Sequence, residues 1–178
     1  MSADYSPVIR AATSDDAEVL AELAERTFLE TFVEGGFAIP YPPDDLATFL
    51  EEFYSAAVTR SRLQNLNHWW EVAEVNGVAV AYSEVGPGSM PTPECKPEHA
   101  ELKRLYVALG AQGLGLGTVL LERALAHMDT IPGAQWLSVW SGNEKAQRLY
   151  QHYGFRKEGE YGFPVGRWRD HEFIFRRG

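Results

Sequence analysis

Between a β-rich run ending at Val107 and a helical pattern beginning at Leu116 lies the segment Gln112, Gly113, Leu114, Gly115, Leu116, Gly117, Thr118. It limits the fold more than any other stretch. A chain that leaves a strand through glycines and enters an amphipathic helix builds a strand–turn–helix unit. The first N–H groups of such a helix lack intrahelical partners and lie at the positive end of its dipole, so an anion fits there. Glycines let phosphate oxygens approach those amides and tolerate positive φ. Spacing alone also fits a tight turn that holds nothing. Two other phosphate loops are missing their working residues. A Walker loop needs a lysine, which this segment lacks. A dinucleotide fingerprint needs its glycines directly after the strand and an acidic residue after the next one, and Trp140 is followed by Ser141, Gly142 and Asn143.

The flanking segments set the architecture. Residues 7–12 are a short strand, and Thr13, Ser14, Asp15 and Asp16 offer cap chemistry to an amphipathic helix through Val19, Leu20, Leu23, Phe28 and Phe32. Gly35, Gly36, Pro40, Pro42 and Pro43 end it. Asp44 or Asp45 then caps a second helical segment through Leu46, Phe49, Leu50 and Phe53. Residues 68–75 and 78–85 form a hairpin around Asn76-Gly77, the pair suited to a two-residue type I′ turn. Residues 86–97 carry four prolines and two glycines and read as a surface loop. Strand 99–107, the glycine segment, a helix through Met128, strand 135–140, a short helix over 143–153 and two strands near 155–161 and 171–175 complete the order. Antiparallel pairing is thus mixed with one strand–helix–strand crossover, an α/β or α+β domain rather than a doubly wound sheet.

Residues 1–178 are read as one domain, long enough to bury a core without staples. Lysine plus arginine number 16 against 25 aspartates and glutamates, a net charge of −9 that works against nucleic acid and favours a small cationic partner. Cys95 is the only cysteine, so neither an intrachain disulfide nor a thiolate cluster can form. The five histidines show no metal spacing, and no metal is predicted. The acidic start and the lack of an 18-residue apolar run predict a cytoplasmic protein without a membrane partner.

The chain resembles the GCN5-related N-acetyltransferase (GNAT) superfamily at three places in order. Gln112, Gly115 and Gly117 match its Arg/Gln-x-x-Gly-x-Gly/Ala loop. Leu105, Tyr106 and Val107 precede that loop where the family's splayed strand pairs with a pantetheine arm. Asn143, Ala146, Tyr150, Gly154 and Phe155 match Asn-x-x-Ala-x-x-x-Tyr-x-x-x-Gly-Phe. The match spans residues 99–156. It implies a mixed, mostly antiparallel sheet with a central strand splay, flanked by helices, and acetyl-CoA as co-substrate on residues 105–107, 112–118, Asn143, Ala146 and Tyr150. By resemblance the amide of Val107 or its neighbour meets the thioester carbonyl. Members often dimerise, which leaves a homodimer open.

Within that resemblance Tyr150 is the expected general acid toward the departing thiolate, because residues 143, 146 and 150 share one helix face. Without the loop, the same residues read as an N-cap and core packing. Glu101 is the candidate base, on the strand where the histone-acetylating branch carries a catalytic glutamate; the other reading is a solvated strand glutamate. WLSVW at 136–140 and AERTFLETF at 24–32 are similar to the bacterial spermidine/spermine acetyltransferase branch. Glu25, Glu30, Glu34, Asp44 and Asp45 would favour a polyamine-like primary amine, or else they are ordinary solvated helix faces. The alternatives are a silent acyl-CoA-binding module acting through a partner, and a peptide or protein N-acetyltransferase.

Overall fold

The computed structural model describes residues 6–178. Seven strands make one sheet: β1 (Val8–Ala11), β2 (Trp69–Val75), β3 (Val78–Pro87), β4 (Ala100–Val107), β5 (Gln135–Trp140), β6 (Arg156–Val165) and β7 (Trp168–Arg177). Their spatial order is β1-β2-β3-β4-β5-β7-β6. Every neighbouring pair is antiparallel except β4 and β5, so the sheet is mixed and mostly antiparallel, as expected. The β2–β3 turn has Asn76 at φ 54° and Gly77 at φ 75°, both in the left-handed region that the type I′ turn demands. Strand β3 continues through Gly86 and Pro87, two residues that composition had assigned to the following loop. They sit at the strand's end, opposite Glu101 and Ala100, where a proline's missing N–H costs least.

The helices fall on two faces. On one, α1 (Ala17–Leu29), α2 (Pro43–Tyr54) and α3 (Ala56–Leu63) cover β2, β3 and the far end of β6 through Leu20, Leu23, Phe28, Phe49, Tyr54, Trp70, Tyr82 and Val165. On the other, α4 (Leu116–Met128) and α5 (Glu144–His152) pack Leu121, Ala124, Leu125, Ala146 and Tyr150 against Val85, Leu102, Leu137, Val139, Phe155 and Phe175. Each large apolar side chain withdrawn this way contributes about 1.5–3 kcal/mol. The second helical segment of the sequence is two helices, broken at Ser55, which takes an extended ψ of 153°. Helix α1 runs on into a π-helical turn, Glu30–Glu34, a form that concentrates at functional sites.

The central feature is how little β4 and β5 share. They pair in parallel only at Ala100↔Gln135 and Glu101↔Trp136. Just beyond, the β3–β4 register slips between Glu84 and Val85, where Lys103 is the extra residue on β4. A bulge bends its strand and raises the local twist. Strand β4 therefore turns away from β5 immediately after the last shared pair, and the sheet opens between residues 102–107 and 137–140. No helix among the described residues is long and apolar enough to cross a membrane.

Candidate active site

The glycine segment sits at the open end of this splay. After β4, a short 3-10 turn (Leu109–Ala111) leads to Gln112, and Gly113 and Gly115 then take φ of 85° and 78°. Gly115 is the N-cap of α4, in the left-handed conformation, and a Cβ there would meet nothing. What requires glycine is therefore backbone conformation, not crowding. The first helical bond is from the Val119 amide to the Gly115 carbonyl, at 3.1 Å. The amides of residues 113–118 have no hydrogen-bond partner among the described residues, an array of donors at the positive end of a helix. Gln112 turns back, its Nε2 donating to the Val107 carbonyl at 3.3 Å, and so ties the loop to the end of β4.

One face of the splay gathers the remaining residues of the motif. Leu105 and Tyr150 belong to the same apolar cluster as Ala146, Phe155 and Val139. Asn143 caps α5, its Oδ1 accepting from the Ala146 amide at 3.1 Å, so capping is part of its work. Tyr150 packs edge-on against Phe155 with ring centroids 6.2 Å apart. Its hydroxyl has no hydrogen-bond partner among the described residues, and burial pushes it up to about 12. It therefore holds its proton throughout the neutral range. Tyr106 lies on the opposite face, stacked near Tyr82 and facing Phe32.

Glu101 is neither solvated nor free. It is 4% exposed, at the closed end of the splay. One carboxylate oxygen accepts from the Ser89 amide at 2.6 Å and the Ser89 hydroxyl at 3.0 Å, with Lys103 Nζ 2.9 Å away. The acidic residues of the N-terminal half are similarly divided. Glu30 accepts from the Leu109 amide at 2.9 Å and Asp45 pairs with Arg167, while Glu25 and Glu34 border an open surface hollow of about 300 Å³ with Glu22, Arg26 and Leu29.

Sequence reasoning passed over a second set of polar groups on the α1–α3 face. Asp170 is 5% exposed and accepts from the Tyr41 hydroxyl at 2.6 Å and from Trp168 Nε1 at 2.9 Å. Two residues along β7, on the same face, Glu172 stands between Trp140 of β5 and Tyr161 of β6, its partners in the sheet. Burial pushes Glu172 up to about 8, reinforced by the neighbouring Asp170 charge and partly offset by a hydrogen bond from Ser138. Burial also raises Asp170, against the two donors that favour its charged form. Phe37 covers Trp140, with ring centroids 4.4 Å apart. The only trace of this carboxylate pair in the sequence is the alternation Trp168, Asp170, Glu172, which puts both on the face of β7 that carries Trp168.

Comparison with known proteins agrees with this geometry. A family model described as the Acetyltransferase (GNAT) family matches residues 21–155. An uncharacterised N-acetyltransferase of Lactobacillus delbrueckii subsp. lactis is 25% identical over 171 residues, 96% of this chain and 95% of the relative. The spermine/spermidine N(1)-acetyltransferase of Bacillus subtilis is 34% identical over only 64 residues, 35% of this chain and 42% of that one. Among solved structures, the PaiA N-acetyltransferase of Thermoplasma acidophilum in complex with coenzyme A superposes with a TM-score of 0.74 at 22% identity, covering 97% of this chain and 98% of that one.

Proposed function

The chain belongs to the acetyltransferase (GNAT) family and is an acetyl-CoA-dependent N-acetyltransferase, and on that premise we propose that it acetylates a primary amine of a small, polyamine-like molecule by direct attack. We read residues 1–178 as a single domain built for this. The observation that carries the cofactor assignment is the run of unbonded amides from Gly113 to Thr118, beside a strand edge, residues 105–107, that β5 does not pair.

Acetyl-CoA supplies the activated acetyl group as its thioester. In this reading the loop amides bind its pyrophosphate, and the free edge of Leu105, Tyr106 and Val107 takes the pantetheine arm by backbone hydrogen bonds. Leu116, Asn143 and Ala146 line the same site. The amide of Val107 or its neighbour polarises the thioester carbonyl. Tyr150, protonated and without a protein partner, is placed as the donor to the leaving sulfur. Glu101 is the base to which the sequence points, but its ties to Lys103 and Ser89 favour a role in closing the end of the splay.

Support for a cationic acceptor comes from the net charge of −9, from the carboxylates of Asp170 and Glu172 on the α1–α3 face of the sheet, and from the short match to the spermine/spermidine enzyme. Thiol release from acetyl-CoA in the presence of polyamines, aminoglycosides, amino acids and peptide N-termini tests the reading. Turnover with polyamines is expected. Turnover confined to peptides would move the protein to the peptide-modifying class. Tight coenzyme A binding with no turnover on any amine would make it a silent acyl-CoA module.

A further inference from the structure

Direct transfer to an amine at neutral pH requires a group that receives the ammonium and removes a proton from it. We propose that Glu172 is that group, with Trp140 and Tyr161 forming the aromatic walls that hold the ammonium against its carboxylate. The inference rests on the amine-acetylating reading above and names the residue that serves the acceptor.

Four observations converge on Glu172. First, position: it is the register partner of Trp140, the last residue of β5, so it lies one strand away from the splay. Second, surroundings: Trp140 and Tyr161 flank it as its partners in the sheet, Phe37 covers Trp140, and Phe32 meets Tyr106 edge-on in the same apolar cluster. Aromatic faces attract a desolvated ammonium through the negative face of the ring. Third, charge: the groups that act on Glu172 and its neighbour are Asp170 and Ser138 on Glu172, and Tyr41 and Trp168 on Asp170, none of them a cation. Tyr41, Tyr106 and Tyr161 all sense the Glu172 charge. The buried glutamates of this sheet, Glu71, Glu84 and Glu101, each have a cation supplied by the chain, Arg123, Arg62 and Lys103 in turn, whereas Glu172 is half-buried. Glu172 has a site for a cation and none of its own. Fourth, proton affinity: held up to about 8 by burial and by Asp170, its carboxyl is matched to proton exchange near neutrality, as an efficient base should be.

The proton and bond changes balance. The ammonium R–NH3+ gives one proton to the Glu172 carboxylate and becomes R–NH2. Its lone pair forms the new N–C bond to the acetyl carbon while the C–S bond breaks. The sulfur leaves with the proton of Tyr150, the excess proton on the amide nitrogen restores that phenol, and the Glu172 proton passes to water as the product departs.

The test uses the full chain with spermidine as probe. In wild type, kcat/KM is expected to fall on the acid side with an apparent pKa that follows Glu172. Glu172→Gln, which keeps size and fold, should lower kcat/KM by about 100-fold or more and abolish that acid limb, with acetyl-CoA affinity unchanged and Glu172→Asp recovering part of the rate. A Glu172→Gln enzyme that retains both rate and limb overturns the proposal while leaving the acetyltransferase reading intact. A second readout does not depend on turnover. The side-chain carboxyl carbon of Glu172, identified in NMR spectra by its absence from Glu172→Gln, should titrate well above ordinary glutamates, and its midpoint should move down when spermidine is added, because a facing cation favours the carboxylate. A midpoint unmoved by the amine overturns the proposal whether or not any amine is acetylated.

Discussion

The Tyr41 hydroxyl donates a 2.6 Å hydrogen bond to Asp170 across 129 positions of sequence, joining the segment before α2 to the start of β7. The contact lies two residues along β7 from Glu172 and pins the loop that follows the π-helical turn. Because this bond favours the charged form of Asp170, its loss costs most where Asp170 is ionised. Tyr41→Phe is expected to reduce unfolding stability by about 1–2 kcal/mol at pH 8. The deficit should shrink as pH falls through the raised pKa of Asp170. Urea unfolding at the two ends of that range measures both, and a deficit independent of pH would show that the bond does not discriminate the charge of Asp170.

Gly115 is left-handed at the head of α4, and nothing surrounds it that a methyl group would strike. Gly115→Ala therefore isolates the backbone strain, about 1–2 kcal/mol for an L-residue. Lower stability and a raised KM for acetyl-CoA with kcat nearly unchanged are the expected outcome. Gly110→Ala, equally uncrowded and without positive φ, is the comparison. Equal effects from the two would remove the special role of the Gly115 conformation.

Tyr150 stays protonated well above neutrality, so the wild-type profile should show no basic limb from this phenol through the mildly alkaline range. Removing the hydroxyl takes away the proposed donor but not the ring that packs on Phe155. Tyr150→Phe should lower kcat by about 100-fold or more while acetyl-CoA still binds. Stopped thiol-release assays with calorimetric cofactor titrations separate the two quantities. A kcat near wild type at optimal pH would end the assignment.

Glu84 is fully buried and accepts from Arg62 Nε at 3.0 Å and Nη2 at 2.7 Å and meets His68 Nδ1 at 2.7 Å, with Arg104 3.9 Å away. Burial opposes its charge, but His68, Arg62 and Arg104 outweigh that and hold Glu84 below the usual carboxylate range. A depressed pKa gives stability that is present above the unfolded value and lost as pH falls through the folded one. Glu84→Gln leaves the partly buried guanidinium groups of Arg62 and Arg104 without their counter-charge and should cost about 3 kcal/mol. Denaturant midpoints at neutral pH would expose this, and a loss under 1 kcal/mol would mean that water reaches the arginines.

What the sequence determined is what local chain physics controls. The Asn76-Gly77 turn needs two left-handed residues in a row, and few pairs other than this one accept them. The glycine loop and the 143–155 helix carry their own caps and periodicity, so their form was legible from a dozen residues apiece, as was the family they signal. Strands near 155–161 and 171–175 were legible too, though not their full extent to Val165 and Arg177. Tertiary structure alone decided which carboxylates are engaged and which are free. Glu101 acquired Lys103 and Ser89 because a bulge and a loop meet at the closed end of the splay. Glu172 acquired Trp140 and Tyr161 because β7 was inserted between β5 and β6, an order that no local pattern encodes. A carboxylate's proton affinity depends on the groups within a few ångströms of it, and those arrive from distant sequence only when the sheet assembles.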